Sequence, residues 1–197
     1  MTAALKARTI SVDEYLAGEL LSPVKHEYLD GVVYAMAGAR NVQNLVASNV
    51  LLALGVRLRA SRCRAYNSDT KIRIRLPTHV RFYHPDVSVI CRPNPPNDSF
   101  QDRPAIVAEV LSKGTRRIDE GEKKEAYLTI ASLSLYLLVE ETSAAVVAYR
   151  RTDKGFVREE YVGTDAVIAL PEIGCELPLA EIYESVEFVP ESQEPEA

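Results

Sequence analysis

The spacing of apolar and polar residues changes several times along the chain, and each change marks an element. Ser11 and Glu14 form an S-x-x-E capping box, in which hydroxyl and carboxylate satisfy free backbone N–H groups. A short helix is therefore predicted to begin here and to end near Gly18. HEYLDGVVYAM follows as two strand segments around Asp30-Gly31, a hairpin signal because both residues tolerate positive φ, and Glu27 lies on the first arm. Between residues 41 and 60, apolar side chains recur at Val42, Leu45/Val46, Val50, Ala53 and Val56, which draws one stripe on a helix and predicts the main core helix. KIRIRL alternates strictly, so Ile72, Ile74 and Leu76 are expected on a core face and Lys71, Arg73 and Arg75 on a basic one.

After a turn at Pro77-Thr78, FYHPDVSVICR resumes as a strand, and residues 93–104 read as a proline-rich loop. AIVAEVLS is a mostly apolar run broken by Glu109. A charged helix over residues 119–130 comes next, and then LYLLVEE, AAVVAYRR and GFVREEYV as successive strands. Residues 177–185 predict a last short helix with Pro178 at its start. The pattern is mixed α/β, with a single domain expected over residues 1–185. Residues 186–197 are expected to form an acidic, disordered tail.

Composition leaves this picture intact: 197 residues with 47% hydrophobic and 26% charged side chains suit one compact domain. The cysteines Cys63, Cys91 and Cys175 are odd in number and far apart, which argues against both a disulfide framework and a metal knuckle. That pattern, with an N-terminus lacking a signal-type apolar stretch and no run near ~20 apolar residues, leads us to expect a cytoplasmic protein without membrane association. Charge does change the picture. The net value of −5 disfavours a polyanionic substrate, yet six acidic residues and no basic one fall within residues 181–197. Arg57, Arg59, Arg62, Arg64, Lys71, Arg73 and Arg75 meanwhile cluster against Asp69 alone, a stretch able to follow a phosphate backbone. The alternative is a solvated helix end followed by a polar strand face.

Two carboxylates interrupt segments that otherwise read as buried. Asp86 precedes Val87, Val89 and Ile90, and Glu109 lies among Ile106, Val107, Val110 and Leu111. Burying such a group is costly unless a cation or several donors compensate, and a divalent metal would do so. Oxygen donors from two carboxylates, a backbone carbonyl and waters suit Mg²⁺ or Mn²⁺. The alternative is an edge position or a structural ion pair. Other chemistries lack their residues: His26, His79 and His84 have no zinc spacing, and no G-x-S-x-G elbow, Walker loop or G-x-G-x-x-G occurs. His84 is expected to pack or hydrogen-bond beside the Asp86 strand.

HEYLDGVVYAMAGA, NLVASNVLLAL, YNSDTKIRI, YHPDVSVI, VAEVLSKGT, DEGEKKEAY, LYLLVE and LPEIGCELPLAEIYE occur in that order over residues 9–184. In this the chain resembles the bacterial Uma-two family, a branch of the PD-(D/E)XK nuclease superfamily. The resemblance implies a restriction-endonuclease-like α/β core, with a central mixed β-sheet and flanking helices, and metal-dependent hydrolysis of phosphodiester bonds in DNA. It implies that Asp86, Glu109 and the carbonyl of Val110 hold Mg²⁺ or Mn²⁺. The superfamily's lysine normally stands two places after the glutamate, where this chain has Leu111. The resemblance points instead to Lys123, with Lys71 in reserve, although Asp119–Lys123 is also an ordinary i,i+4 helix pair. Glu27 matches a family glutamate that could contact the metal or position a water; otherwise it is an exposed strand residue. The family tends to carry histidine where Gln43 stands. Lys71, Arg73 and Arg75 are expected to flank the cleft and bind phosphates. A homodimer is expected, since cutting two strands is simplest with two related sites. The competing hypothesis, fed by Leu111 and Gln43, is a catalytically inactive nuclease-fold module that binds nucleic acid or oligomerises. The two separate on whether Asp86 and Glu109 converge with an amine nearby.

Overall fold

The computed structural model describes residues 9–188. In chain order the first half holds α1 (Val12–Glu19), β1 (His26–Leu29), β2 (Val32–Ala35), α2 (Asn41–Arg57), β3 (Arg64–Asn67), β4 (Lys71–Arg75), β5 (Val80–Tyr83) and β6 (Val87–Ile90). The second half adds β7 (Phe100–Gln101), β8 (Pro104–Leu111), α3 (Arg116–Ile118), a π-turn (Asp119–Lys123) and α4 (Lys124–Leu128). It ends with β9 (Leu135–Glu140), β10 (Ala145–Thr152), β11 (Gly155–Val162), β12 (Val167–Leu170), β13 (Cys175–Pro178) and α5 (Leu179–Ile182).

Local chemistry explains the first elements. The Ser11 N–H donates to Glu14 Oε2 at 2.8 Å and the Glu14 N–H to Ser11 Oγ at 3.2 Å, so the capping box starts α1 as predicted. Asp30 at φ 56° and Gly31 at φ 97° close the β1–β2 hairpin in two residues. A Cβ on Gly31 would come within 2.8 Å of Thr9 Cβ, so the turn excludes a side chain there as well as requiring positive φ.

The strands build two main sheets. A six-stranded mixed sheet has the order β11-β10-β9-β8-β6-β3, antiparallel except for the central parallel pair β8–β9. A five-stranded sheet has the order β2-β1-β5-β4-β7, and β12–β13 form a separate hairpin. The expected single strand FYHPDVSVICR is thus corrected to two strands in different sheets, β5 and β6. The chain passes between them through His84-Pro85-Asp86; Pro85 lacks the N–H that a continuing ladder would need. Strand β7 inside the proline-rich loop, and strands β3, β12 and β13, carried too little alternation to be foreseen.

The six-stranded sheet is covered on both faces. On one, α2 lays Val46, Val50, Ala53 and Leu54 against Val87, Val89, Ile106, Ala108 and Val110. The buried stripe of α2 is rotated from the expected one: Leu45 and Val56 are 36% and 49% exposed, whereas Gln43 and Leu54 are buried. On the other face, Val107 and Leu111 meet Ala126 and Tyr127 of α4 and Ile72 and Ile74 of β4. Because successive strand residues face opposite ways, Glu109 shares this second face. A smaller cluster of Tyr15, Tyr28 and Phe82 fixes α1 on the five-stranded sheet.

Two further expectations need correcting. Cys63 and Cys91 are joined in a disulfide, because β3 pairs antiparallel with β6 and Arg64 stands opposite Ile90, which brings the preceding and following cysteines face to face. Distance in sequence concealed that register, and the cysteine pattern therefore gives no argument for a reducing compartment. Val186 packs on the core and the Phe188 ring lies 5.4 Å from Tyr183, so packing continues past residue 185. Residues 189–197 of the expected tail lie outside the described residues. Among the described residues, no helix is long and apolar enough to cross a membrane.

Candidate active site

The crossing between the sheets sets up a polar pocket. Val87 pairs with Ala108, so one step earlier Asp86 stands opposite Glu109. The Asp86 N–H donates to Glu109 Oε2 at 3.3 Å, and Asp86 Oδ2 accepts the Val110 N–H at 2.7 Å. Gln43 reaches in from α2, donating from Nε2 to the Val110 carbonyl at 3.2 Å and hydrogen-bonding Asp86. The residue in the family's usual histidine place therefore touches two of the three expected metal donors.

Lys123 enters from the opposite side. The π-turn turns both Asp119 and Lys123 inward, leaving them 2% and 7% exposed. Lys123 Nζ lies 2.9 Å from Glu27 Oε1, 3.4 Å from Asp119 Oδ1 and 3.7 Å from Glu109 Oε1. Lys124 points elsewhere, its Nζ 5.1 Å from the centre of the Tyr149 ring. Leu111, where the superfamily's lysine would stand, is packed in the apolar layer with Tyr127.

The electrostatics of the pocket follow from its burial. Asp86 has its carboxyl pKa pushed up to about 6, chiefly by burial, against the opposing pull of the Val110 N–H and Lys123. Burial also raises Glu109 well above the ordinary carboxylate value; Lys123 opposes this and Asp119, Asp86 and Glu27 add to it. For Lys123, burial works against the ammonium, but Glu109, Glu27 and Asp119 outweigh it and hold the pKa above its ordinary value. Four carboxylates thus share one ammonium, and Glu109 Oε1 has no hydrogen-bond partner. His84 donates from Nδ1 to the Ser68 carbonyl at 2.8 Å and is kept neutral, its pKa pushed down to about 4 mainly by burial.

The expected residues divide into two groups. Asp86, Glu109, Val110, Lys123 and Glu27 come together. The reserve lysine, Lys71, is 7% exposed rather than part of a solvent-facing basic strip, and its pKa is lowered by burial, with Glu19 as the opposing charge. Arg73 is held in a two-point ion pair, Nε and Nη2 each 2.7 Å from an Asp102 oxygen, and its guanidinium stacks 4.0 Å from the Phe100 ring. Only Arg75 of the three is exposed as expected, because β7 lies beside β4 and covers its start. Asp119 is the pocket residue that sequence reasoning took for a mere helix pair. Its signal was present, since Asp119, Lys123, Ala126, Tyr127 and Ile130 follow one helical stripe.

Comparison with known proteins bears on the family and the fold. The family model Uma2, described as "Putative restriction endonuclease", matches residues 12–180. The uncharacterized protein slr1290 of Synechocystis is 33% identical over 181 residues, 91% of this chain and 94% of that protein. A second Synechocystis protein, the uncharacterized sll1609, is 27% identical over 172 residues, 85% and 96% of the two chains. Among solved structures, a "putative nuclease belonging to DUF820" from Anabaena variabilis superposes with a TM-score of 0.67 at 17% identity, covering 85% of this chain and 96% of its own. The chain belongs to the Uma2 family and has a mixed α/β, restriction-endonuclease-like fold.

Proposed function

We propose that the chain is a divalent-metal-dependent endonuclease that hydrolyses phosphodiester bonds in DNA. The observation that carries this reading is the buried pair Asp86 and Glu109, with Glu109 Oε1 accepting no hydrogen bond and one ammonium serving four carboxylates. Such a pocket fits a hard cation. The donors would be Asp86, Glu109 and the Val110 carbonyl; no cluster of three or more His, Cys, Asp or Glu side chains suited to a metal occurs among the described residues. Waters and substrate oxygens would therefore complete the shell, as suits Mg²⁺ or Mn²⁺. The ion would polarise a phosphoryl oxygen and lower the pKa of a nearby water.

Lys123 remains an ammonium at neutral pH and so donates rather than abstracts protons. Its Nζ–H groups would meet the negative charge that grows on the attacked phosphate. Glu27 orients that ammonium through the 2.9 Å contact and accepts, at 3.5 Å, the His84 N–H, which ties the opening hairpin to the crossing segment. Burial of the pocket excludes bulk water, which strengthens each of these interactions. We further propose a homodimer, which would place two such sites on the two strands of a duplex.

Titration calorimetry with Mg²⁺ and a plasmid-nicking assay test the proposal together. Wild type should bind the ion and cut, and Asp86→Asn and Glu109→Gln should do neither while remaining folded. Absence of both ion binding and cleavage on duplex DNA, single-stranded DNA and RNA would replace this reading with the inactive-module one. Sedimentation should give twice the 21.8 kDa chain mass if the dimer is correct.

A further inference from the structure

A cleft of about 350 Å³ opens between β4, the segment joining β7 to β8, and the end of α4, with Arg73, Arg75, Asp102, Arg103 and Thr129 in its wall. Its charges are unevenly satisfied. Asp102 is taken up by the two Arg73 contacts at 2.7 Å and by Asn94 Nδ2 at 3.1 Å. Arg75 and Arg103 are exposed and make no hydrogen bond or ion pair among the described residues. Three guanidiniums therefore share the cleft wall with one carboxylate, already paired to Arg73, in a protein whose net charge is −5.

A simpler role, capping the C-terminal end of α4, is already filled. Arg151 donates from Nη2 to the Leu128 carbonyl at 3.4 Å and the Ile130 carbonyl at 2.7 Å, and Thr129 Oγ1 donates to the Ala126 carbonyl at 2.7 Å. Those carbonyls neither need Arg75 and Arg103 nor present bare negative ends to an anion. What remains is an electropositive recess buttressed by the rigid Arg73–Asp102 pair.

We infer that the Arg75–Arg103 cleft clamps one phosphodiester of the nucleic-acid strand whose cleavage is assigned to the Asp86–Glu109 pocket, an inference that rests on the nuclease reading of that pocket. The spacing suits a strand. The cleft abuts Pro104 at the start of β8, five residues before Glu109, which at strand rise is about 16 Å. That distance matches the axial rise of roughly five base pairs. Ile74 and Ile130, which line the cleft, belong to the same packed layer that Glu109 faces, so both sites lie on one side of the six-stranded sheet.

The test is fluorescence anisotropy of a labelled DNA duplex over a salt series in EDTA, where no cleavage occurs, with wild type, Arg75→Ala/Arg103→Ala and Arg75→Lys/Arg103→Lys. Both positions are exposed, and the melting temperature checks that each variant folds. The double alanine variant should bind roughly tenfold more weakly at 0.1 M salt, with a log–log salt slope shallower by about 1, while its Mg²⁺ binding stays unchanged. The double lysine variant should recover most of the affinity. If wild type binds and the alanine variant binds equally well with the same slope, the cleft is not a phosphodiester site, and the nuclease reading survives. If inorganic phosphate titrates into the cleft and loses binding in the alanine variant while DNA affinity is unchanged, the cleft serves a free anion and the inference fails. If wild type neither binds nor cuts any nucleic acid, both readings fall.

Discussion

One ammonium balancing four carboxylates makes the metal-free pocket a source of instability, and its sign can be worked out from Asp86. Its pKa rises from 3.8 to about 6 in the folded state. Between those values the native protein holds a proton that the unfolded chain has released, so this group's contribution to stability falls as pH rises through the window and stays low above it. Asp86→Asn removes the charge yet keeps an acceptor for the Val110 N–H. In EDTA it should be more stable than wild type at pH 7 by roughly 2 kcal/mol, with the difference fading by pH 4. Urea unfolding of both proteins at several pH values measures this; a variant less stable than wild type at pH 7 would show that Asp86 is not a buried, uncompensated charge. Lys123 gives a complementary expectation. Lys123→Ala leaves Glu27, Asp119 and Glu109 facing one another and should cost roughly 3 kcal/mol without metal. Mg²⁺ should restore much of that stability, but not cleavage, whereas Lys124→Ala should leave both nearly intact. Full cleavage by Lys123→Ala would remove this lysine from the proposed chemistry.

The elements decide which charged residues are available for function, and β4 shows how. Strict alternation in KIRIRL correctly placed Ile72 and Ile74 in the core. It could not show that β7, a two-residue strand inside a proline-rich loop, would lie parallel beside β4 and bring Asp102 and Phe100 onto Arg73. Arg73 is therefore a fastening between β4 and that loop. Arg73→Ala should lower stability by about 1–3 kcal/mol, since it leaves the partly buried Asp102 without its ion-pair partner and with only Asn94 donating to it, and should leave Mg²⁺ affinity unchanged. Thermal melts and calorimetry on the one variant check both halves; an unchanged melting temperature would contradict the fastening role. Among the pocket residues, Asp86 and Glu109 were legible because each interrupted an apolar run, whereas Lys123 and Glu27 were reached through the family resemblance. Asp119 obeyed the i,i+4 pattern of an exposed helix pair, which masked its place on the stripe that Lys123, Ala126, Tyr127 and Ile130 turn toward the sheet.

Across the whole molecule, the site exists because the chain leaves the six-stranded sheet after β3, builds β4 and β5 in the five-stranded sheet, and returns at β6. Local patterns predicted β4, ran β5 and β6 together as one strand and missed β3, and they could not divide the strands between two sheets, because alternation reports which face is buried and not which neighbour a strand takes. The same limit hid the disulfide. Cys63 and Cys91 stand at the two ends of that excursion, so their bond closes a loop holding β4, β5 and Asp86. Closing a loop of 28 residues' separation stabilises the fold by about 3–4 kcal/mol, on the view that the bond acts by restricting the unfolded chain. Cys63→Ser/Cys91→Ser should accordingly melt roughly 6–16 °C lower than the oxidised wild type. Reduction of wild type should produce most of the same shift. Thiol titration under denaturing conditions should find one reactive group, Cys175, before reduction and three afterwards. Three thiols without any reductant, or a double serine variant that melts with wild type, would mean that β3–β6 pairing alone holds the crossing segment in place.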